Sequence, residues 1–197
     1  IAALPLQHIS AYLLKVEPNT PFGRQKDRLP LPQEEETADL YENTVELLSS
    51  NGFIQYEISN FAKPGYRSRH NLKYWHLQEY LGLGPAAHSF LNGERFYYPR
   101  SLTDFVEEPH KTVSDGPGGG VEEYIEMSLR LVEGLDFEDY KKNYGGKGIQ
   151  KIISIAEGWQ KAGLCSVNQN KLALTPKGFL VSNSIISEVL YLAESDD

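Results

Sequence analysis

Residues 70–75 read His-Asn-Leu-Lys-Tyr-Trp, and their side chains could do chemistry together. A neutral imidazole at His70 can ligate iron. The Asn71 amide can hydrogen-bond a carboxylate or a ring nitrogen. Tyr74 and Trp75 offer flat faces to a macrocycle. The stretch KPGYRSRHNLK, residues 63–73, carries Lys63, Arg67, Arg69 and Lys73 and no acidic residue. This cationic island suits an anionic ligand, such as the propionates of a porphyrin. The same residues also describe a solvated loop with a structural histidine and two core aromatics. One histidine does not define a metal site.

Other candidates stand nearby. YEISNF, residues 56–61, places Glu57 and Asn60 at the C-terminal end of an expected strand, the end that faces the active site in barrel-like α/β folds. An edge carboxylate of no special function is the competing reading. Gly82 and Gly84 in GLGPAAHSF could admit a ligand close to the backbone, or simply make a tight turn. His88 reads as a hydrogen-bonded core histidine, and His8, His76 and His110 show no ligand-like spacing with it. No GxSxG, HExxH, CxxC or phosphate-binding loop is present. The single cysteine, Cys165, allows no intrachain disulfide, fits a reducing cytosol, and reads as a small buried hydrophobe.

Several elements must position these residues. HISAYLLKV reads as a buried strand. A long surface loop follows, rich in proline (Pro18, Pro21, Pro30, Pro32), of a kind often used as a lid. A helix is expected over about 33–50, with acidic residues in its first turn, Leu40, Tyr41, Val45 and Leu48 on one face, and Asn51-Gly52 as its stop. FIQYEIS alternates as a strand, which completes a βαβ-like crossover. NFAKPGYRSR reads as loop, HNLKYWHLQEY as carrying a helical turn, YLGLG as a short strand, and PAAHSFLNGERFYYPRS as a hairpin turning at Asn92-Gly93. Residues 114–120, SDGPGGG, read as a Gly-rich linker. Beyond it, VEEYIEMSLRLVEG is expected as a helix stopped by Gly134. A short helix is expected from Asp136 to Tyr144. A further helix carries Ile149, Ile152, Ile153, Ala156 and Trp159 to Gly163. LCSV and KLAL read as a β-hairpin, and Thr175 and Pro176 open a last helix.

The expected fold class is therefore α+β, with one region over 1–113, the linker over 114–120, and a winged-helix-like domain over 121–197. Charge constrains the partners. Net charge is −8, from 19 basic and 27 acidic residues, with the net charge divided evenly between residues 1–120 and 121–197. That balance argues against nucleic-acid binding, because phosphate contacts need a basic surface. The expected recognition helix carries only Lys151 and Lys161 as basic residues. No apolar run approaches the ~20 residues of a membrane span. The start, IAALPLQHIS, lacks a signal-peptide pattern, so the expected location is cytoplasmic, and the sequence reads as cut from something longer.

HISAYLLKVEPNTPF, GFIQYEISNFAKPGYRSRHNLKYW, GLGPAAHSF and GLCSVNQNKLALTPKGFLVSNSII, in that order, resemble the C-terminal part of the HemN/HemW family. These are radical S-adenosylmethionine (SAM) proteins of the haem-chaperone and oxygen-independent coproporphyrinogen III oxidase types. The resemblance implies the C-terminal portion of a partial (β/α)6 radical SAM barrel followed by the family's C-terminal domain. It implies haem binding by His70, Asn71, Tyr74 and Trp75, with His70 as the iron ligand, and haem-receiving proteins as partners. HNLKYW favours the haem-chaperone branch; oxidative decarboxylation of coproporphyrinogen III and a non-catalytic interaction module are the alternatives. The family's chemistry also uses SAM and a 4Fe–4S cluster on three cysteines. One cysteine cannot hold it, so the cluster is expected on an N-terminal radical SAM region of the full-length protein, and this chain alone should not cleave SAM. Lys15 and Pro85 align with SAM contacts of the oxidase branch.

Overall fold

The computed structural model describes residues 4–194; the outer limits of the two expected regions, residues 1–3 and 195–197, lie outside them. Helices and three small sheets alternate in an α+β arrangement. The first sheet holds β1 (His8–Ser10), β2 (Ile54–Gln55) and β3 (Asn60–Ala62) in the order β1–β3–β2, with β3 antiparallel to both neighbours. The long connection between β1 and β2 contains a 3-10 turn, Gly23–Arg28, and α1 (Glu34–Ser50).

Three expectations change here. β3 was expected as loop, yet it is the central strand. Three residues are too few to show alternation, and tertiary packing decides the matter: Phe61 is buried with Phe53 and Leu48. HISAYLLKV is a strand only to Ser10. The Ala11 N–H still bonds the Ser59 carbonyl, but the partner chain is then in its turn, and Tyr12, Leu13 and Leu14 are exposed. In α1, Tyr41 and Leu48 are buried and Val45 packs beside them, but Leu40 is exposed at the edge of the covered face. The helix start behaves as expected, with Gln33 and Glu36 capping each other's backbone.

α2 (Arg69–Trp75) follows, and then a second sheet of β4 (His88–Leu91), β5 (Glu94–Tyr97) and β6 (Val113–Pro117), with α3 (Leu102–Glu107) between the last two. Asn92 and Gly93 turn the β4–β5 hairpin with φ of 53° and 77°, as such a two-residue turn requires. YLGLG contributes only a bridge from Tyr80 to Phe90. Gly82 lies so close to the His88 carbonyl that a Cβ would come within 2.2 Å of it, so this glycine admits the neighbouring β4 backbone rather than making a tight turn.

The Gly-rich segment is not a free tether. Residues 114–117 belong to β6 and pair with β5. Gly118 lies against the Phe90 ring and the Arg95 stem, at 2.8 and 2.9 Å from where its Cβ would be. Arg95 stacks over Phe90 at 4.7 Å and bonds Glu123 at 2.7 Å, and Glu123 accepts the Gly119 N–H. Gly118 and Gly119 permit this close packing against Phe90 and Arg95.

The remainder comprises α4 (Val121–Ser128), β7 (Leu135–Asp136), α5 (Phe137–Tyr144), α6 (Ile149–Lys161), β8 (Cys165–Val167), β9 (Lys171–Leu174), α7 (Pro176–Leu180) and α8 (Ser182–Glu194). Its sheet has the order β7–β9–β8. Asp136 caps α5, and Thr175 caps α7 with Pro176 at its first turn, as the sequence predicts. α4 ends before Gly134 because its following residues are recruited elsewhere. Glu57 bridges Leu131, the Ile58 N–H bonds the Arg130 carbonyl, and the Val132 N–H bonds the Tyr56 carbonyl. The expected single last helix is broken at Val181 into α7 and α8. Ile125, Leu129, Leu135, Tyr140, Ile152, Leu172 and Val189 are completely enclosed in one core, which reaches back to Tyr41 on α1. Cys165 is buried there, with its Sγ 3.5 Å from the Ala156 carbonyl.

Candidate functional site

An apolar-walled cleft of about 440 Å³ lies where the first sheet, α2 and α4 meet. Its lining includes Tyr12, Glu57, Asn60, Asn71, Tyr74, Trp75, Met127 and Arg130. That volume is in the range of small-ligand sites.

The HNLKYW segment folds as α2. Seven residues make a marginal helix in isolation, and every residue of α2 is at least partly exposed. Its N-terminus is therefore fixed from outside. Ser68 Oγ accepts the Asn71 N–H at 3.2 Å, and the Ser68 N–H donates to the Tyr56 hydroxyl at 3.3 Å. The Tyr56 hydroxyl is 2.8 Å from His8 Nε2 on β1, and burial lowers the His8 pKa. Arg67 lies over the Tyr56 ring at 5.7 Å and pairs with Glu133 at 2.7 Å. A line of contacts thus runs from β1 through Tyr56 to the cap of α2.

The floor of the cleft is polar. Glu57 is 1% exposed; its carboxylate accepts the Ser59 N–H at 3.1 Å. Burial raises its pKa, against the opposing hydrogen bonds from Ser59 and Asn60. Ser10 Oγ donates to Asn60 Oδ1 at 2.5 Å. Behind the floor, the Tyr41 hydroxyl donates to the Ile58 carbonyl and accepts from the Gln55 amide, each at 2.8 Å, and burial pushes its pKa up to about 12. Arg130 at the rim is held by Glu126 at 2.6 Å.

The structure brings Asn71, Tyr74 and Trp75 into this one wall, with Glu57 and Asn60 below them. His70 is exposed beside the wall, and its Nε2 lies 2.9 Å from the Tyr74 hydroxyl. Their rings meet edge to face at 5.0 Å, and Tyr80 packs on the other side of Tyr74 at 4.5 Å. The cationic island is spread out. Lys63 lies over the Phe53 ring and Arg67 is paired, whereas Arg69 and Lys73 are exposed and form no ion pair among the described residues. His88 is not a core residue; it is exposed, stacked on Tyr97, and 3.6 Å from Asp115. Lys15 is exposed and pairs with Glu17, and Pro85 is exposed in the turn after Gly84. Neither lines the cleft. Among the described residues, no group of three or more His, Cys, Asp or Glu side chains is placed to hold a metal ion.

Sequence reasoning missed Tyr12, Met127 and Arg130 as lining residues, and His8 and Ser10 as supports. The spacing of His8, Ser10 and Tyr12 by two was the available signal, because alternate residues of an extended chain share a face. Met127 and Arg130 gave no signal, since only the tertiary fold brings α4 against the first sheet.

Comparison with known proteins bears on the family and the fold of this chain. Residues 121–181 match the HemN C-terminal domain. The chain is 30% identical to the Bacillus subtilis heme chaperone HemW over 95% of its own length and 52% of that protein. It is 46% identical to the Escherichia coli heme chaperone HemW over 81 residues, 41% of this chain and 21% of that one. The fold resembles that of the coproporphyrinogen III oxidase HemN from Escherichia coli, a radical SAM enzyme, with a TM-score of 0.66 and 16% identity over 98% of this chain and 49% of that one. The chain spans about half the length of the curated relatives it matches. Segment order, domain match and fold agree, and the chain belongs to the HemN/HemW family of radical SAM proteins, whose C-terminal part it represents.

Proposed function

We propose that this chain forms the haem-binding part of a radical SAM haem chaperone, which holds haem for transfer to haem-receiving proteins. The observation that carries this reading is the gathering of Asn71, Tyr74 and Trp75 on one wall of the cleft, with His70 hydrogen-bonded to Tyr74 beside them. The donor set fits the group. Two aromatic faces can cover a macrocycle, the Asn71 amide can bond a polar edge, His70 offers a nitrogen donor to iron, and the exposed cations Arg69 and Lys73 can attract propionates. Bound haem supplies an electrophilic iron and two anionic propionates; the chain's own residues bind and orient it and shield one face from water.

In this reading the region over 1–113 closes a partial (β/α)6 barrel and the region over 121–197 is a winged-helix-like domain. SAM and the 4Fe–4S cluster belong to the full-length protein, where Lys15 and Pro85 are the positions given to SAM, and the protein works in the cytoplasm. Among the described residues, no helix is long and apolar enough to cross a membrane.

Hemin titration of the full-length protein tests the reading. Replacing Asn71 with Ala and Trp75 with Leu together should weaken binding about 10- to 100-fold, the loss expected for one large buried contact of about 1.5–3 kcal/mol. Unchanged affinity would sink it. Turnover of coproporphyrinogen III by the full-length protein would instead favour the oxidase alternative.

A further inference from the structure

We infer that His8 and Tyr56, which lie outside the cleft lining, position its α2 wall, and that protonation of His8 loosens this wall and weakens ligand binding. The inference rests on the haem reading above and adds a control that the motif itself does not carry. The direction of two hydrogen bonds carries it. The Ser68 N–H can only donate, so the Tyr56 oxygen accepts from it at 3.3 Å. The hydroxyl's own proton then turns to the other partner, His8 Nε2, 2.8 Å away. Nε2 is therefore the bare nitrogen of a neutral imidazole, with the ring proton on Nδ1. Tyr56 is 1% exposed, and burial raises its pKa, so the hydroxyl keeps its proton at neutral pH.

Protonation turns Nε2 into a donor. The Tyr56 oxygen then meets two donors, and its own proton loses its acceptor in a buried place. A buried donor without a partner is costly, and giving up the Ser68 bond relieves that cost. The Ser68 bond anchors a marginal element. α2 has seven residues, none of them buried, and its cap is Ser68, whose Oγ accepts the Asn71 N–H. The same helix sends Asn71, Tyr74 and Trp75 to the cleft, while the chain leaving β1 sends Tyr12 to it. The His8–Tyr56–Ser68 line thus ties together two elements that line one cleft. Around the pair stand Arg67 over the Tyr56 ring, Glu57 next to Tyr56, Tyr12 beyond β1, and Lys63 at the end of β3, which lies over Phe53. Among the described residues no carboxylate forms an ion pair with His8 to hold an imidazolium. Burial lowers the His8 pKa, so the neutral, tied state prevails above 6.5 and is lost as the pH falls through the lower folded value.

Hemin affinity of the full-length protein, measured at about pH 8 and about pH 5, gives the test. Wild-type binding should weaken toward the lower pH. His8→Gln, whose amide carbonyl accepts a hydrogen bond at either pH, should bind like the wild type at the higher pH and lose part of the slope. Tyr56→Phe should weaken binding about 3- to 10-fold at the higher pH, the loss expected for one hydrogen bond, and lose the same part of the slope. The double variant should be no weaker than Tyr56→Phe, because both residues act through one line. Protonation of an iron ligand is common to wild type and variants, so the difference between slopes reports His8. His110→Gln, at an exposed position, should change nothing. Circular dichroism confirms the fold, and His8→Gln, at a half-buried position, decides the matter by itself where Tyr56→Phe unfolds. An unchanged slope in His8→Gln overturns the inference, as do additive losses in the double variant. Failure of the wild type to take up hemin at either pH overturns the haem reading itself.

Discussion

The two regions of the molecule are built on opposite terms. From Val121 onward, one continuous apolar core encloses side chains from every helix of α4, α5, α6, α7 and α8. Before it, the first sheet closes on a small cluster of Leu48, Phe53 and Phe61, with Leu6, Ile9, Ala11 and Val45 beside them. There the buried side chains include three polar ones, Gln55, Glu57 and Asn60, of which Glu57 and Asn60 line the cleft. Apolar packing is concentrated in the second region, and most of the residues that line the cleft come from the first. The difference shows how a weakly packed region can hold a defined cleft. It borrows the edge of the stronger one, through the Glu57–Leu131 bridge and the bonds of Ile58 and Val132. Buried polar groups in a ligand cleft commonly cost stability and are kept for function.

The sharpest way to break this contrast is to cut the larger core. Leu172→Ala and Ile152→Ala remove completely enclosed side chains and should each cost about 2–5 kcal/mol. Leu83→Ala, 77% exposed, should stay within about 0.5 kcal/mol. Urea denaturation of each variant checks this, and similar losses at Leu83 and Leu172 would contradict the contrast.

A smaller effect is expected at the join between them. Tyr56→Phe removes the hydroxyl that links His8 to the Ser68 cap, and should cost about 1–2 kcal/mol. Its larger consequence should be local: amide hydrogen exchange in α2 should speed up while α6 is unaffected.

Glu57 sharpens the comparison with the opposite sign. Its folded pKa is raised by burial, so its unfavourable contribution is absent below the ordinary carboxylate range and appears as the pH rises through the folded value. Glu57→Gln should therefore raise Tm at pH 7, with a gain that shrinks as the pH falls toward 4.5. A fall in Tm at pH 7 would show that the carboxylate stabilises the cleft.

The smallest expected effect belongs to His8. Burial depresses its folded pKa below 6.5, so its contribution is fully present above 6.5 and is lost as the pH drops through the folded value. Replacing His8 with Gln should flatten the pH dependence of Tm just below pH 6.5 and leave Tm at pH 8 less affected. An unchanged slope would remove His8 from the account.

The sequence by itself determined the local elements whose signals are short-range. The acidic first turn and Asn-Gly stop of α1, the Asn92-Gly93 hairpin, the Asp136 and Thr175 caps and the helical spacing from Ile149 to Trp159 are all present in the structure. The motif around His70 was legible too, because imidazole, amide and aromatic side chains stand together in six positions. Tertiary structure alone decided what depends on partners distant in sequence. It made Asn60–Ala62 a central strand, since Phe61 finds Phe53 and Leu48. It ended α4 at Ser128, since the next residues pair with Glu57 and its neighbours. It packed Gly118 against Phe90 and Arg95 and Gly119 against Phe90, where composition alone suggests a tether. It also placed Tyr74 in the cleft wall and His70 beside it, which spacing along a helix cannot do, because that choice depends on which face α4 and the first sheet cover.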